Sequence, residues 1–263
     1  MTILLQYKTS AGGNEVTLPA EFIAVSDLAF AASVAGTVYF CRSMSGGMEM
    51  SGGWTMSMTW MRMPGQSWTA SVAMFLLMWL TMMVAMMLPS ALPTFLKTGR
   101  PWPSLCCMAS GYFAVWLAAG LGIYAFGVAL ATVSMRSELV SRAVPWLVGA
   151  SLITAGAIQF TPWKLTYLLR CRSPSGCAAS CSQNKTSFRL GCGQGTACCI
   201  CCAAPMAILL SLGIMNPLVM IGVTIVIAAE KVLPRPAIVA RFVGILAVVA
   251  GITFIARTLQ ASL

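Results

Sequence analysis

Long apolar segments, separated by short polar ones, dominate the chain. Four runs of 34, 35, 21 and 40 residues contain no charged residue: Met63–Leu96, Pro101–Met135, Ala143–Trp163 and Leu190–Ala229. A hydrocarbon core of about 30 Å needs roughly 20 apolar residues in a helix, so each run can hold one span and the last can hold two. The pattern predicts an all-α, polytopic transmembrane helical bundle that forms a single domain over residues 1–263.

The apolar runs divide into about seven predicted helices. The sixth is short and follows the fifth through Met215-Asn216-Pro217, where proline ends one helix and permits the next to begin. The number of spans is six if this short segment is re-entrant. We expect no cleavable signal peptide, because residues 1–19 are mostly polar. The predicted helices lie near Glu21–Cys41, Trp68–Leu88, Leu105–Val133, Val144–Trp163, Thr196–Met215, Leu218–Glu230 and Ile238–Ala256.

Composition and charge agree with a membrane protein. Charged residues make up 8% of the chain and the mean hydropathy is +0.85, whereas soluble domains carry roughly a quarter charged residues. The net charge of +10 comes from Lys and Arg between the predicted spans, so we interpret it as topology and contact with the lipid bilayer, with no nucleic acid partner. Ten of these Lys and Arg residues lie on the same side of the membrane as the N-terminus and five lie on the opposite side, which favours a cytoplasmic N-terminus. Residues 42–67 are then a Met-rich extracytoplasmic loop and residues 164–195 a basic, Cys-containing cytoplasmic loop.

The donor atoms available for chemistry are mainly sulfur. The chain has no histidine and six carboxylates, but 11 cysteines and 19 methionines. Haem with a histidine ligand, histidine-based zinc or copper sites and Ser-His-Asp hydrolysis are therefore excluded within this chain.

A methionine-rich segment follows the first predicted helix. Thioether sulfur suits Cu(I) and needs no deprotonation, so several of these side chains could converge on one ion. Glycine pairs at 46–47 and 52–53 indicate a flexible connection. The alternative is an amphipathic loop on the membrane interface, held by Trp54, Trp60 and Trp68. The candidate ligands are Met44, Met48, Met50, Met56, Met58, Met61 and Met63.

The second predicted helix carries more methionines, which cover over half of its circumference. Methionine fills irregular helix contacts well, so packing is the favoured explanation for this stripe. Its position beneath the methionine-rich loop also makes it a candidate set of ligands. The residues are Met74, Met78, Met82, Met83, Met86 and Met87, of which all but Met74 are the candidate ligands.

Cysteines cluster at the start of the fifth predicted helix. Helical spacing brings three thiols of Cys198, Cys199, Cys201 and Cys202 near one another. Cys192 would join them from a predicted turn formed by glycines 191, 193 and 195. Thiolates bind Cu(I) or Zn(II), two overlapping C-x-x-C spacings permit a thiol–disulfide couple, and small apolar packing is the third possibility. Packing is favoured for Cys41, Cys106 and Cys107.

A few charges fall within or beside the apolar segments, where an unpaired charge is costly. Asp27 and Arg241 lie at similar depth in the first and last predicted helices, so we expect them to pair, unless Arg241 extends to the interface instead. Glu230 and Lys231 end the sixth helix either as an exposed pair or as a hard ligand near the cysteines.

Three motifs carry a family resemblance over about residues 55–256. They are Met78-Trp79 with residues 82–89 (MMVAMMLP), then Gly195-x2-Cys198-x2-Cys201-Cys202 with Met206, and Gly213-x-Met215-Asn216 before Glu230-Lys231. In this order they resemble the bacterial predicted metal-binding integral membrane proteins, catalogued as a domain of unknown function, number twenty-one eighty-two. The resemblance implies a multi-pass bundle and a metal-binding role. The chain departs from it at Ala203, where the family commonly has Trp, at Cys199, which is extra, and in a fourth loop with Cys171, Cys177 and Cys181.

Together these features predict a multi-pass protein of the bacterial inner membrane that binds or handles Cu(I). It would act as a carrier, a chaperone or a metal-holding accessory subunit rather than as an enzyme. No GxxxxGK[ST] motif is present, so pumping would need a gradient or a partner. Two alternatives stay open: a non-catalytic structural subunit of a larger membrane complex, and a membrane thiol–disulfide oxidoreductase that uses a CxxC pair.

Overall fold

The structure is a computed structural model that describes residues 20–44, 46–61, 65–172 and 184–262. Within these ranges the chain forms nine α-helices and one two-stranded sheet, which confirms the predicted all-α bundle. The helices are α1 (Ala20–Ser43), α2 (Trp68–Leu96), α3 (Trp102–Arg136), α4 (Glu138–Ile158), α5 (Pro162–Arg172), α6 (Asn184–Cys201), α7 (Ala203–Leu212), α8 (Pro217–Val232) and α9 (Pro236–Ser262).

Five helices are long and apolar enough to cross a membrane, namely α1, α2, α3, α4 and α9. Helices α6 and α7 meet at an angle of 59° and provide a sixth span if they are counted as one broken helix. The short predicted segment is α8, whose 16 residues extend about 24 Å, less than a hydrocarbon core of about 30 Å. The described residues thus form five or six candidate spans. The seventh predicted span corresponds to α8, which is too short to cross the hydrocarbon core.

Segment 164–195, predicted as a loop, is helical where the structure describes it. It contains most of α5 and the first two-thirds of α6. The turn predicted at Gly191, Gly193 and Gly195 is instead part of the helix α6. Two of these glycines allow α6 to pack directly on α3. A methyl group on Gly191 would overlap the Met108 carbonyl oxygen, and one on Gly195 would lie 2.8 Å from the Tyr112 carbonyl oxygen.

The methionine-rich segment is an ordered β-hairpin rather than a flexible connection. Strands β1 (Gly47–Met50) and β2 (Trp54–Ser57) pair antiparallel, and a 3-10 turn follows at Met58–Trp60. Gly52 and Gly53 adopt φ values of 112° and 72° at the turn, a conformation that glycine adopts without a steric penalty. Of the two glycine pairs that suggested flexibility, the pair at 52–53 therefore closes a tight turn.

The hairpin is attached to the protein by its tryptophans. Trp54 Nε1 donates a 2.9 Å hydrogen bond to the Ser141 carbonyl, and Ser141 Oγ donates a 2.7 Å bond to the Ser51 carbonyl. The Trp60 ring lies against Gly127 of α3 and 5.6 Å from the ring of Phe75. The hairpin therefore lies at the end of the bundle where α3 meets α4, so the first and third connections share one end.

The predicted pairing of Asp27 with Arg241 is wrong. Both side chains are exposed, and the ion pairs among the described residues are Arg142–Glu138 and Lys164–Glu230. Helix α1 packs mainly against α2, whereas α9 packs mainly against α4. Similar depth in the membrane therefore did not bring the two charges together, because the two terminal helices pack on different partners.

Candidate metal centre

Three cysteine thiols meet inside the bundle. The sulfur atoms of Cys171 from α5 and of Cys198 and Cys201 from α6 lie within 4.8 Å of one another, and all three residues are buried. Cys171 Sγ and Cys201 Sγ are 3.2 Å apart. Cys202, also buried, lies 3.8 Å from Cys198 and 3.6 Å from Cys201 between sulfur atoms. We call Cys171, Cys198, Cys201 and Cys202 the thiol cluster.

Local helix geometry explains how α6 and the residue directly after it, Cys202, contribute three of these thiols. Residues three and four apart share a helix face, which aligns Cys198 with Cys201 and Cys202. The Cys202 amide donates to the Cys198 carbonyl at 2.9 Å, so the turn stays intact up to the bend before α7. Helix α5 is fixed against α6 by Gln194, whose Nε2 donates a 2.7 Å hydrogen bond to the Cys171 carbonyl.

Two polar groups contact Cys198 from neighbouring helices. Tyr112 of α3 donates its hydroxyl to Cys198 Sγ at 2.9 Å, and Lys231 Nζ of α8 lies 3.0 Å from the same sulfur. Lys231 also donates to Ser90 Oγ of α2 at 3.1 Å. An ammonium group beside a buried thiol stabilises its thiolate form, the form that binds metal.

The charge of Cys171 is set by its sulfur neighbours. Hydrogen bonding to Cys198, together with burial and opposed by Cys201, raises the pKa of the Cys171 thiol well above its usual range. Cys171 is therefore protonated at neutral pH while no metal is bound. Metal binding at this thiol must release a proton.

A buried ion pair lies next to the thiol cluster in sequence and space. Lys164 of α5 and Glu230 of α8 are 2% and 1% exposed, and Lys164 Nζ lies 2.6 Å from Glu230 Oε1. Lys164 also donates to the amide oxygen of Gln159. The sequence interpretation of Glu230 and Lys231 as an exposed pair is thus wrong: Glu230 binds Lys164, and Lys231 contacts Cys198.

Two predicted cysteine ligands stay outside the cluster. Cys199 is rotated about 100° from Cys198 on α6, and Cys192, seven residues before Cys199, lies about 120° from Cys198 on the same side as Cys199. Both are partly buried and neither is among the thiols that meet. Cys177 and Cys181 lie outside the described residues.

The α2 methionines belong to the same buried core as the thiol cluster. Met78, Met82, Met83, Met86 and Met87 are at most 4% exposed, and they belong to the same buried cluster as Cys198, Cys201 and Cys202. This agrees with packing as their first role.

The hairpin methionines share one face of the sheet. Met48 is directly opposite Met56, and Met50 is two residues further along β1, so these three side chains lie on the same side. Met56 is 1% exposed, whereas Met48 is 45% exposed. Met58 is exposed, Met44 and Met61 are partly buried, and Met63 lies outside the described residues.

Sequence reasoning missed Cys171, Tyr112 and Lys164. Cys171 was assigned to a loop, although Cys171 and Cys201 are the closest pair of sulfurs in the thiol cluster. An amphipathic spacing of buried Lys164, Leu168 and Cys171 along α5 was the available signal. Tyr112 gave no signal, because an aromatic residue in an apolar helix is usually a packing residue.

Comparison with known protein families matches residues 76–254 to the family described as PpoB2, copper chaperone. No curated protein and no solved structure matches the chain. The family match covers all of the thiol cluster, Lys231 and most of the α2 methionine stripe. It supports the copper role predicted from the sulfur donors, under a family description different from the one that the sequence motifs resemble. Since the match spans more than half of the 263 residues, this chain is a member of the PpoB2 copper chaperone family.

Proposed function

We propose that the protein is a membrane Cu(I) chaperone that holds its ion at the thiol cluster and receives it through the methionine-rich hairpin. The observation that carries the proposal is the convergence of Cys171, Cys198 and Cys201, with their sulfurs within 4.8 Å of one another. The family membership supports copper as the cargo.

The distances within the cluster suit a small soft ion. Three sulfurs at about 2.3 Å from a metal in a trigonal arrangement are roughly 4 Å apart. Within the set of Cys171, Cys198 and Cys201, one pair of sulfurs is 3.2 Å apart and all three sulfurs lie within 4.8 Å of one another, so only small shifts are needed to reach this geometry. Thiolate is the ligand type that selects Cu(I), and the chain offers no histidine as an alternative.

Lys231 makes the buried site electrostatically acceptable. One Cu(I) bound by two or three thiolates carries a net negative charge, which is costly in an apolar interior. The Lys231 ammonium, 3.0 Å from Cys198 Sγ, offsets one unit of that charge. Tyr112 adds a hydrogen bond to the same sulfur.

The hairpin supplies a complementary kind of site. Its thioethers are neutral, so they bind Cu(I) without proton release and more weakly than thiolates. A weak outer site that leads to a tighter inner site suits the loading of a chaperone. We place the hairpin outside and the N-terminus in the cytoplasm of a bacterial inner membrane, on the charge distribution of the connections.

The test is Cu(I) titration of the purified protein under reducing conditions, in competition with a chromophoric Cu(I) chelator. We expect Cys198→Ser to lose the tightest bound equivalent, with affinity reduced at least about 100-fold, because serine oxygen is a poor ligand for a soft ion. Cys199→Ser is the matched control, since Cys199 is adjacent in the chain but outside the cluster. Equal affinity in the two variants would contradict the proposal.

A thiol–disulfide couple is a second candidate, favoured by the 3.2 Å separation of Cys171 and Cys201. Joining them would release two electrons and two protons to an acceptor such as a quinone or a small disulfide. Mass spectrometry of protein equilibrated with oxidised glutathione would detect a Cys171–Cys201 disulfide. If this disulfide does not form and Cu(I) binds tightly, the chaperone function is the one candidate that remains.

A further inference from the structure

A second group of sulfur atoms lies between α1 and α8, away from the thiol cluster. The Cys41 thiol in the last turn of α1 points at the Met220 thioether in the first turn of α8, with 3.9 Å between Sγ and Sδ. Met220 is buried, and Cys41 is partly buried against the core. The sequence alone suggested packing for Cys41 and gave Met220 no role.

Met44 joins this pair through helix geometry. Its amide donates to the Phe40 carbonyl at 2.9 Å, so the helical turn of α1 continues to Met44. Cys41 and Met44, three residues apart, therefore share one face of the helix. Met44 is also partly buried and packs against the same core.

We propose that Cys41, Met44 and Met220 form a second Cu(I) site, distinct from the thiol cluster. Two sulfurs 3.9 Å apart and each about 2.3 Å from an ion subtend roughly 120° at it, the angle of a trigonal ligand set. One thiolate with two thioethers is a soft donor set that suits Cu(I) or Ag(I). On binding, the Cys41 thiol loses its proton to solvent and the sulfur–metal bond takes its place.

The site lies along α8 between the hairpin and the thiol cluster. Met44 directly precedes the hairpin in sequence, and α8 continues from Met220 to Lys231, which contacts Cys198. These two α8 residues are eleven positions apart, or about 16 Å along the helix. This site rests on the proposed copper-handling function for the identity of its metal. It adds a Cu(I) site of intermediate affinity between the hairpin and the thiol cluster.

The experiment counts Cu(I) equivalents kept by the full chain in detergent, under anaerobic conditions, at a chelator concentration that strips sites made of thioethers alone. Cys41→Ala and Met220→Leu are each expected to lose one equivalent while keeping the equivalent of the thiol cluster. Met215→Leu, a partly buried methionine near the start of α8, should keep the wild-type number. Met44→Leu is expected to weaken the same equivalent at least tenfold and provides a thioether variant if Met220→Leu folds poorly.

The outcomes separate this site from the thiol cluster. Cys198→Ser tests Cu(I) binding at the thiol cluster, and Cys41→Ala tests binding at the second site, so each proposal can fail without the other. The second site is refuted if Cys41→Ala keeps the wild-type number of equivalents. It is equally refuted if Cys41→Ala loses one equivalent and both methionine variants bind that equivalent as tightly as the wild type, because the ion would then be held by Cys41 without the thioethers.

Discussion

Individual side chains determine how the cluster responds to pH. Cys171 keeps its proton at neutral pH because hydrogen bonding to Cys198 and burial raise its pKa, and Cu(I) must displace that proton. The hairpin methionines have no proton to lose. Residues that look equivalent as sulfur donors therefore separate into two classes by the charge they carry.

We predict that Cu(I) affinity of the thiol cluster rises with pH, by about tenfold per unit for each proton released. The rise should extend across pH 6 to 8, because the raised pKa of Cys171 lies above that range. Binding at the hairpin should stay nearly constant over the same interval. Chelator competition at several pH values measures both classes, and a flat profile for the tight class would exclude thiolate ligation.

A second prediction concerns the buried pair of Lys164 and Glu230. Removing one member leaves an uncompensated buried charge, so Glu230→Gln should lower the free energy of unfolding by about 3–5 kcal/mol. The double change Lys164→Met, Glu230→Gln should recover much of that loss. Asp27→Asn is the control, since Asp27 is exposed and makes no ion pair with Arg241. Additive effects in thermal unfolding of the detergent-solubilised variants would show that the pair is not coupled.

At the scale of elements, the position of α6 against α3 places the Tyr112 hydroxyl beside the thiol cluster. Gly191 packs on the backbone of Met108, and Gly111 packs on that of Phe188. This close approach brings Cys198 to the hydroxyl of Tyr112. The glycines therefore act on the cluster through the distance between two helices rather than through a turn.

We predict that Gly191→Ala separates α6 from α3 and weakens Cu(I) binding at the cluster at least tenfold, with a loss of stability. Gly193→Ala is the matched control, because a methyl group there meets no atom within 4 Å, and alanine is favoured over glycine in a helix by about 0.5–1 kcal/mol. It should bind Cu(I) normally and unfold at an equal or higher temperature. Parallel measurements of unfolding and chelator competition test the pair, and indistinguishable variants would contradict this role for Gly191.

At the scale of the whole molecule, the sequence predicted the bundle well and the site only in part. Charge-free runs predicted α2, α3 and most of α4 directly, because a charge inside a span is costly. The polar, glycine-rich stretch around Gly191 looked like a loop, although its glycines serve close helix packing. Lys164 looked like a loop cation, because a single sequence does not reveal that Glu230 lies 2.6 Å away.

The same limit explains why the observed thiol cluster differs from the predicted ligand set. Helical spacing identified Cys198, Cys201 and Cys202 because their proximity is local. Cys171 comes from another helix, 30 residues earlier than Cys201, so its contribution depends on tertiary packing. Cys192 was included only because the segment before Cys198 was taken as a turn.

The central claim, a Cu(I) ion held by thiolates of Cys171, Cys198 and Cys201, is tested most directly by X-ray absorption at the copper edge. The sample is the full chain loaded with one equivalent of Cu(I), beside Cys171→Ser loaded in the same way. We predict a first shell of three sulfurs at about 2.3 Å in the native protein and one fewer sulfur in Cys171→Ser. A shell of oxygen or nitrogen, or an unchanged sulfur shell in the variant, would contradict it.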